Sequence, residues 1–596
     1  MMKEFKKLLL FLSAVPFVQA VADDKLVGTV IGTPTTVNTC QEAFDGNPDT
    51  FYASPDSSYA WVGLDLGQPH VITRVGWLPR NVEGGGDSMV LGVFEGANSE
   101  DFMDALPLYI ITDQGMSQAD VSCSRGFRYV RYVGPSCAYC NVAELEFYGH
   151  AGEGDDTGLY RLTNQPTVTV HTLNGEIPYD KEHDITAQIT IIGPDGATVL
   201  SEPGTIRERG NGSRTFPKRP YRLKFDKKQN VLDAPAKAKI WNLVNNYSDK
   251  TLMRNLLAFE MSRCFDMPFT PYAHTVDVLL NGEYKGSYLL CDALRVEKNR
   301  IELEEMKPED NSGEALTGGY LVEIDAYANE EASWFSSAME NPVTIQYPGD
   351  DVITPEQHAY IEEAFNKMES QWETYLDLNT FLRHFLIGEL SGNTDTYWSV
   401  YMYKHRGDDK FYTGPVWDFD LAFENDYRTY PINEKDDYVY RSGGSCAGNM
   451  RNFVDGIAVY SDAAREQMLD IWTEVRKGNI TVQHLMDFID RYEANLQETQ
   501  HLNFLRWPIM GMKVQKNPEI WGSYAAEVQN VRRYLTERLS WMDHKLGYDE
   551  STGIESIDNR QLAMGNSWYT LDGRRLNGKP TEKGVYIYNS KKVIIK

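Results

Sequence analysis

Hydrophobic periodicity changes once along this 596-residue chain, and that change limits the fold more than any single motif. In the first half the apolar runs are short. Residues 61–66, 71–78, 127–133, 143–148, 167–172 and 184–192 are separated by clusters of Gly, Asn, Asp and Pro, the pattern of strands joined by turns. Residues 276–280 and 284–290 flank Asn281-Gly282, a pair suited to a tight type I′ hairpin. One helix is expected among them, with Ser248 or Asp249 as N-cap and Leu252, Leu256 and Phe259 on one stripe. From Pro355 onward the period is helical, over 355–373, 378–390, 462–477, 483–496 and 525–546. Strands followed by helices is an α+β order, and the length exceeds what one core supports, so a multidomain protein is expected.

The N-terminus reads as an export signal over 1–22. Lys3, Lys6 and Lys7 precede an apolar run over 8–18, and Ala20-Val21-Ala22 offers a cleavage site; the alternative is a short buried helix. No later segment has the ~20 apolar residues that would make a transmembrane segment, so the expected location is secreted or at the cell surface. The formal net charge of −28 repels nucleic acid and anionic lipid, which excludes nucleic acid as a general partner. Of seven cysteines, Cys40, Cys123, Cys137 and Cys140 fall early, while Cys264, Cys291 and Cys446 are scattered. The odd count leaves at least one thiol free or intermolecular. Cys137-Ala-Tyr-Cys140 has zinc-knuckle spacing without a second pair, which favours a disulfide or buried thiols over a metal.

Residues 25–150 read as an all-β sandwich and 151–160, small and acidic, as a linker. Residues 161–548 read as the α+β body. Residues 551–596 form a small C-terminal β appendage with strands near 568–575 and 583–588. The segment Ala43-Phe44-Asp45-Gly46-Asn47-Pro48-Asp49-Thr50, the strand at 61–66 and the closing 143–149 resemble the discoidin, or coagulation factor V/VIII type C, family. That resemblance implies a jelly-roll sandwich with a structural Ca²⁺. Asp45, Thr50 and Glu144, with carbonyls near Ala43 and Asn47, would supply its hard oxygen ligands. It also implies a carbohydrate or surface ligand met by loops at one end, where Tyr59 either stacks on a sugar or packs internally. The C-terminal appendage resembles the sorting domains of Bacteroidetes type IX secretion; the alternative is a short β unit packed on the body.

Four blocks in the body carry chemistry. Arg207-Glu208-Arg209-Gly210-Asn211-Gly212-Ser213 is followed by Lys218-Arg219-Pro220-Tyr221-Arg222-Leu223-Lys224-Phe225. Glycines let backbone N–H groups approach phosphate oxygens, and the bases supply charge. Alternation turns Tyr221, Leu223 and Phe225 one way and Arg222 and Lys224 the other. The block is either an anion site or a solvated basic hairpin. The second block runs from Trp241 to Asn255 and leads into a helix bearing Arg254 and Glu260. The third, Leu390-Ser391-Gly392-Asn393-Thr394-Asp395, ends a helix. The fourth is Gly414-Pro415-Val416-Trp417-Asp418-Phe419-Asp420, in which Trp417 can anchor the turn. Carboxylates on either side of a strand pair can converge, one to orient a hydroxyl and one to hold a metal, or they are ordinary turn residues.

In order and spacing the four blocks resemble the CotH (spore coat protein H) kinase family over roughly 160–548. The resemblance implies an atypical protein-kinase-like domain that phosphorylates Ser or Thr on an exported protein substrate, using ATP with Mg or Mn. Asp395 would be the catalytic carboxylate. Asp418, with Asp420 beside it, would hold the metal. Arg209, Asn211 and Ser213 would line the nucleotide, Lys218 or Lys224 would contact phosphate, and Glu260 would pair with that lysine. The sequence departs from the family pattern in one place: Asp395 is followed by Thr396-Tyr397-Trp398-Ser399-Val400, with no Asn to serve as a second metal ligand. That keeps open a non-catalytic carbohydrate-binding adhesin with a pseudokinase scaffold. A glycoside hydrolase would leave the basic glycine block without a role.

Overall fold

The computed structural model describes residues 23–442 and 448–549, together with 568–570, 575–576, 579–581, 583–588 and 591–595. The export signal expected over 1–22, Cys446 and much of the 551–596 appendage lie outside the described residues.

The N-terminal unit is a β-sandwich assembled on one long strand, Trp61–Leu78. The first part of that strand pairs with Thr29–Gly32 and Gly126–Val133, and its second part with Glu144–Ala151 and Gln118–Asp120. The register shift between Asp65 and His70 marks where it changes partners. Alternation sends Val62 and Leu64 inward, and a register shift between Ile72 and Arg74 lets both Ile72 and Val75 join them against Phe94 and Phe147. The stretch 151–160 is fastened rather than loose. Ser124 donates to the Asp155 carbonyl, and Arg125 pairs with Asp156. All the described cysteines are free thiols; Cys140 is buried while Cys137 faces solvent, so these two do not bridge.

The central unit begins with a closed seven-stranded barrel. Thr167–Thr172, Ile185–Ile192, Thr198–Glu208, Tyr221–Gln229 and Ala238–Val244 are joined by the hairpin Ala273–Leu280 and Glu283–Asp292. Parallel pairing of Ala273–Leu280 with Thr167–Thr172 closes it. The hairpin turn takes positive φ at both Asn281 (51°) and Gly282 (81°), as a type I′ turn demands. Helix Arg254–Cys264 follows the barrel strand Ala238–Val244. Its formal start is later than the sequence suggests. The buried Asp249 carboxylate still accepts from Thr251 N and Arg254 N and pairs with the Arg254 guanidinium at 2.5 Å. A five-stranded antiparallel sheet comes next, in the order Trp334–Ser336, Pro342–Tyr347, Tyr320–Ile324, Val400–Lys404, Tyr412–Thr413. Helices Pro355–Ser370, Leu378–Ser391, Asp462–Lys477, Val482–Asn495 and Tyr524–Leu546 match the periodic segments within a few residues. Gly448–Ala458 and Gln497–Arg506 are further helices that periodicity did not single out. The C-terminal strands Trp568–Thr570, Arg575–Leu576, Gly584–Tyr588 and Lys591–Ile595 form a four-stranded sheet.

The sandwich and the barrel meet across a buried charge cluster. Glu95 of the sandwich is fully buried and accepts from Arg131 at 2.7 Å. His171 Nε2, on a barrel strand, lies 3.3 Å from the other Glu95 oxygen. Leu91, Val93 and Ile110 pack against Leu279, Tyr284 and Leu502 beside it. Tyr59 also lies on this seam: its hydroxyl is 3.0 Å from Lys285 Nζ, and its ring sits under the same ammonium. Tyr59 is therefore a packing residue between units and is not free to stack on a sugar. Burial alone would raise the Glu95 carboxyl, but the charges of His171 and Arg131 outweigh it and hold the group at about 2. A depressed carboxyl contributes stability above its unfolded value of 4.5, and that contribution is lost as pH falls towards 2. Glu95→Gln should cost about 3 kcal/mol at neutral pH, and the variant should lose less stability than wild type between pH 4.5 and 3. Urea unfolding at both pH values checks this; equal pH dependence in the two proteins would show that Glu95 is not the lock.

Candidate active site

Four segments of the central unit converge on a cleft enclosing about 590 Å³. Its roof is the loop between strands Thr198–Glu208 and Tyr221–Gln229, which carries Arg209, Gly210, Asn211, Gly212 and Ser213. Gly210 has φ +79°, and a Cβ there would approach Ser213 Oγ to 2.5 Å, so the turn requires glycine. Asn211 accepts from Lys181 Nζ at 3.3 Å, and the Ser213 carbonyl accepts from Asn245 at 3.4 Å.

The floor is acidic. Asp395 lies in the turn after helix Leu378–Ser391, whose C-cap Gly392 is left-handed. Asp418 and Asp420 follow the short strand Tyr412–Thr413. Glu323 and Asp325 come from the end of strand Tyr320–Ile324. The Asp418 backbone is clasped from both sides. Phe419 N donates to Asn255 Oδ1 at 2.8 Å, and Asn393 Nδ2 donates to the Asp418 carbonyl at 3.3 Å. Asp418 itself is left-handed, φ +66°, a conformation an Asp tolerates better than most residues. Trp417 stacks on Phe259 at 6.3 Å and lies under the Arg209 guanidinium, which anchors the turn.

Burial, reinforced by the crowding of carboxylates, sets their proton affinity. Asp418 is open to cleft solvent on one side and enclosed by protein on the others; desolvation and the charges of Asp420 and Asp395 push its carboxyl well up. Asp420 is pushed up to about 6 by desolvation and the Asp249 and Asp395 charges, opposed by a hydrogen bond from Ser248. Desolvation also raises Asp395, against the Arg428 guanidinium that pairs with it at 2.7 Å. Glu323, buried, reaches about 8 because of desolvation and the Asp325 charge. Cations line the same space: Lys181, Arg209, Arg428 and Lys516. A set of oxygen donors with more carboxylate than neighbouring cation can neutralise suits a hard divalent ion.

The structure brings together Asp395, Asp418, Asp420, Arg209, Asn211 and Ser213. It does not bring Lys218, Lys224 or Glu260 there. Lys218 is buried beneath the barrel hairpin, where its ammonium donates to the Ser287 carbonyl and Asn503 Oδ1, and desolvation lowers it to about 7. Lys224 projects from the outer face of its strand towards Asp184, because Leu223 and Phe225 fill the barrel interior. Glu260 bonds His484 and Arg263 instead of a lysine. Sequence reading missed Glu323, although a lone carboxylate inside the apolar run Tyr-Leu-Val-Glu-Ile is a signal. It also missed the clasp of Asn255 and Asn393 on the Asp418 turn.

In the sandwich, Thr50 Oγ1 donates to Asp45 at 2.9 Å and to the Asn47 carbonyl at 2.8 Å, while Asn47 N donates to Asp45 Oδ1. Glu144 adjoins Asp45; desolvation and that neighbour raise its carboxyl, and its Oε1 is buried without a hydrogen-bond partner. Asp45, Thr50 and Glu144 therefore sit together, with one oxygen still to be satisfied.

A family model described as CotH kinase protein matches residues 206–542, more than half of the chain. A comparison with curated proteins found no match. Among solved structures, the family 62 carbohydrate-binding module of Clostridium thermocellum Xyl5A is 44% identical, over 22% of this chain and 99% of that chain, with a TM-score of 0.21. The family 32 module of C. perfringens NanJ, solved with galactose, is 13% identical over 21% and 99% of the two chains, TM-score 0.19. A Streptococcus pneumoniae fucose-binding module is 18% identical over 21% and 94%, TM-score 0.18. No helix among the described residues is long and apolar enough to cross a membrane.

The raised Glu323 carboxyl has a consequence for the metal-free protein. A group that holds its proton more tightly when folded loses stability for the fold as pH rises from 4.5 through about 8. Glu323→Gln should flatten that decline and raise the melting temperature at pH 8, by a shift worth a few kcal/mol. Thermal melts in chelator at pH 5 and 8 check it; identical pH slopes for both proteins would contradict the assignment.

Proposed function

The chain belongs to the CotH kinase family, and on that premise we propose that it is an atypical protein kinase transferring the terminal phosphoryl group of ATP to Ser or Thr hydroxyls of an exported protein. The observation that carries this reading is the convergence of Asp395, Asp418, Asp420 and Glu323 beneath the glycine loop at Arg209–Ser213. Asp418 and Asp420 would hold Mg²⁺ or Mn²⁺, and Glu323, which lines the same cleft, would add a further carboxylate where the family pattern has Asn. The bound cation would screen charge on the ATP phosphates. Backbone N–H groups of the roof loop and the side chains of Lys181, Arg209 and Lys516 favour the same phosphates. Asp395 orients the acceptor hydroxyl and takes its proton as that oxygen bonds to phosphorus and the bond to ADP breaks. Arg428 fixes the Asp395 carboxylate for that role.

The sandwich would serve as targeting, binding a carbohydrate or another surface ligand, with Ca²⁺ held by Asp45, Thr50 and Glu144. The expected leader over 1–22 supports a place outside the inner membrane. A second reading, a carbohydrate-binding adhesin with a pseudokinase scaffold, is favoured by one feature: no Asn follows Asp395 to serve as a second metal ligand.

Two aspartate variants separate the roles. Asp418→Asn should abolish the thermal shift produced by Mg²⁺- or Mn²⁺-ATP. Asp395→Asn should keep most of that shift while turnover or autophosphorylation falls by roughly 10²–10⁴-fold. Retention of full transfer by both variants would remove the catalytic assignment. Wild-type protein without any nucleotide shift would leave the adhesin reading. For the sandwich, chelation of Ca²⁺ should lower the melting temperature of the wild-type chain and not that of Asp45→Ala. An unchanged wild-type melt would rule out the cation.

A further inference from the structure

Helix Arg254–Cys264 faces two ways. Its first half serves the cleft through Asn255 and Phe259. Its last turn presents Glu260 and Cys264, one helical turn apart, to helix Val482–Asn495, where His484 meets them. His484 Nε2 lies 2.8 Å from Glu260 Oε1 and 3.7 Å from Cys264 Sγ. The three ligand atoms lie within 4.8 Å of one another, and all three residues are half-buried. Arg263 bonds Glu260 Oε2 at 2.9 Å, which turns Oε1 towards His484.

We propose that Glu260, Cys264 and His484 form a transition-metal site, of the Zn²⁺ class, that clamps helix Arg254–Cys264 to helix Val482–Asn495. Tetrahedral Zn²⁺ with ordinary bond lengths sets sulfur and nitrogen about 3.6 Å apart and nitrogen and oxygen about 3.3 Å apart. The observed sulfur–nitrogen separation already suits this, and the nitrogen–oxygen pair opens by about half an ångström when a metal replaces the hydrogen bond. One thiolate, one imidazole and one carboxylate select Zn²⁺, Co²⁺ or Ni²⁺ over Mg²⁺ and Ca²⁺. This separates the site from the all-oxygen cleft by chemistry as well as by position. Binding releases the Cys264 thiol proton to solvent, leaves His484 as a neutral imidazole with its one ring proton on Nδ1, and leaves the fourth coordination position to water. The clamp acts on the helix that carries Asn255, one half of the clasp on the Asp418 turn, so the metal would stiffen the cleft without touching its ligands.

The test uses the metal-free full chain carrying Asp418→Asn, so that the cleft does not compete for the probe. Titration with Co²⁺ should give one equivalent of binding with an intense near-ultraviolet thiolate-to-cobalt charge-transfer band. Cys264→Ser and His484→Ala should each abolish the band. Zn²⁺ should raise the melting temperature of the parent by several degrees and leave both variants unshifted. No band in the parent overturns the site. So does a band that persists in Cys264→Ser, as it would if exposed Cys137 were the ligand. Should His484→Ala fail to fold, the near-isosteric Cys264→Ser decides.

Discussion

Helix Leu378–Ser391 has no solvent-facing side from Thr380 to Ser391, and the second half of the chain is arranged to cover it. Covering it requires polar partners as well as apolar ones. Glu389, on that helix, is buried and accepts from Val439 N, Tyr440 N and Arg538. Arg538, on helix Tyr524–Leu546, also donates to the Glu389 carbonyl. Arg383 donates to the Phe265 carbonyl and pairs with Glu474. Each buried charge thus binds one of the surrounding helices in place, since an unpartnered one would cost several kcal/mol. The helix in turn ends at Gly392, and the left-handed cap aims the following turn, with Asn393 and Asp395, at the cleft.

The cleft inherits its rigidity from that arrangement. Asn393 after the buried helix and Asn255 on helix Arg254–Cys264 grip the Asp418 turn from opposite sides. Side-chain amides suit this because they bond backbone groups without adding charge to a floor already crowded with carboxylates. Desolvation, with the like charges beside it, raises their proton affinity, and a cation that takes up that charge relieves both. A similar economy holds at the seam between sandwich and barrel. Glu95, Arg131 and His171 bring two separately cored units into one charge network, so the sandwich and the cleft-bearing unit are not independent beads on a linker.

Much of this was legible in the sequence. The switch from turn-punctuated runs to a helical period gave a sandwich followed by strands and then helices; the closing of the strands into a barrel and the five-stranded sheet that takes in Val400–Lys404 came only from the structure. Asn281-Gly282 gave the hairpin because two consecutive positive φ values admit few residues. Asp395, Asp418 and Asp420 were found through their motifs. The lysines were not placed, because alternation says which side chains share a face but not which face looks into the cleft. Tyr221, Leu223 and Phe225 claimed the barrel interior and sent Lys224 outward, while Lys218 found acceptors on a hairpin and a helix far along the chain.

What the sequence by itself determined was local: periodicity, turn chemistry, and motifs whose residues lie close together along the chain. Tertiary structure alone decided which distant groups meet. Glu260 met His484 rather than a lysine, Tyr59 met Lys285 rather than solvent, and Glu323 joined the aspartates from a separate strand. The physical reason is that local signals depend on backbone preferences within a few residues. Pairings across hundreds of residues depend on how whole faces are buried, and a buried polar group takes whichever partner that burial brings within reach.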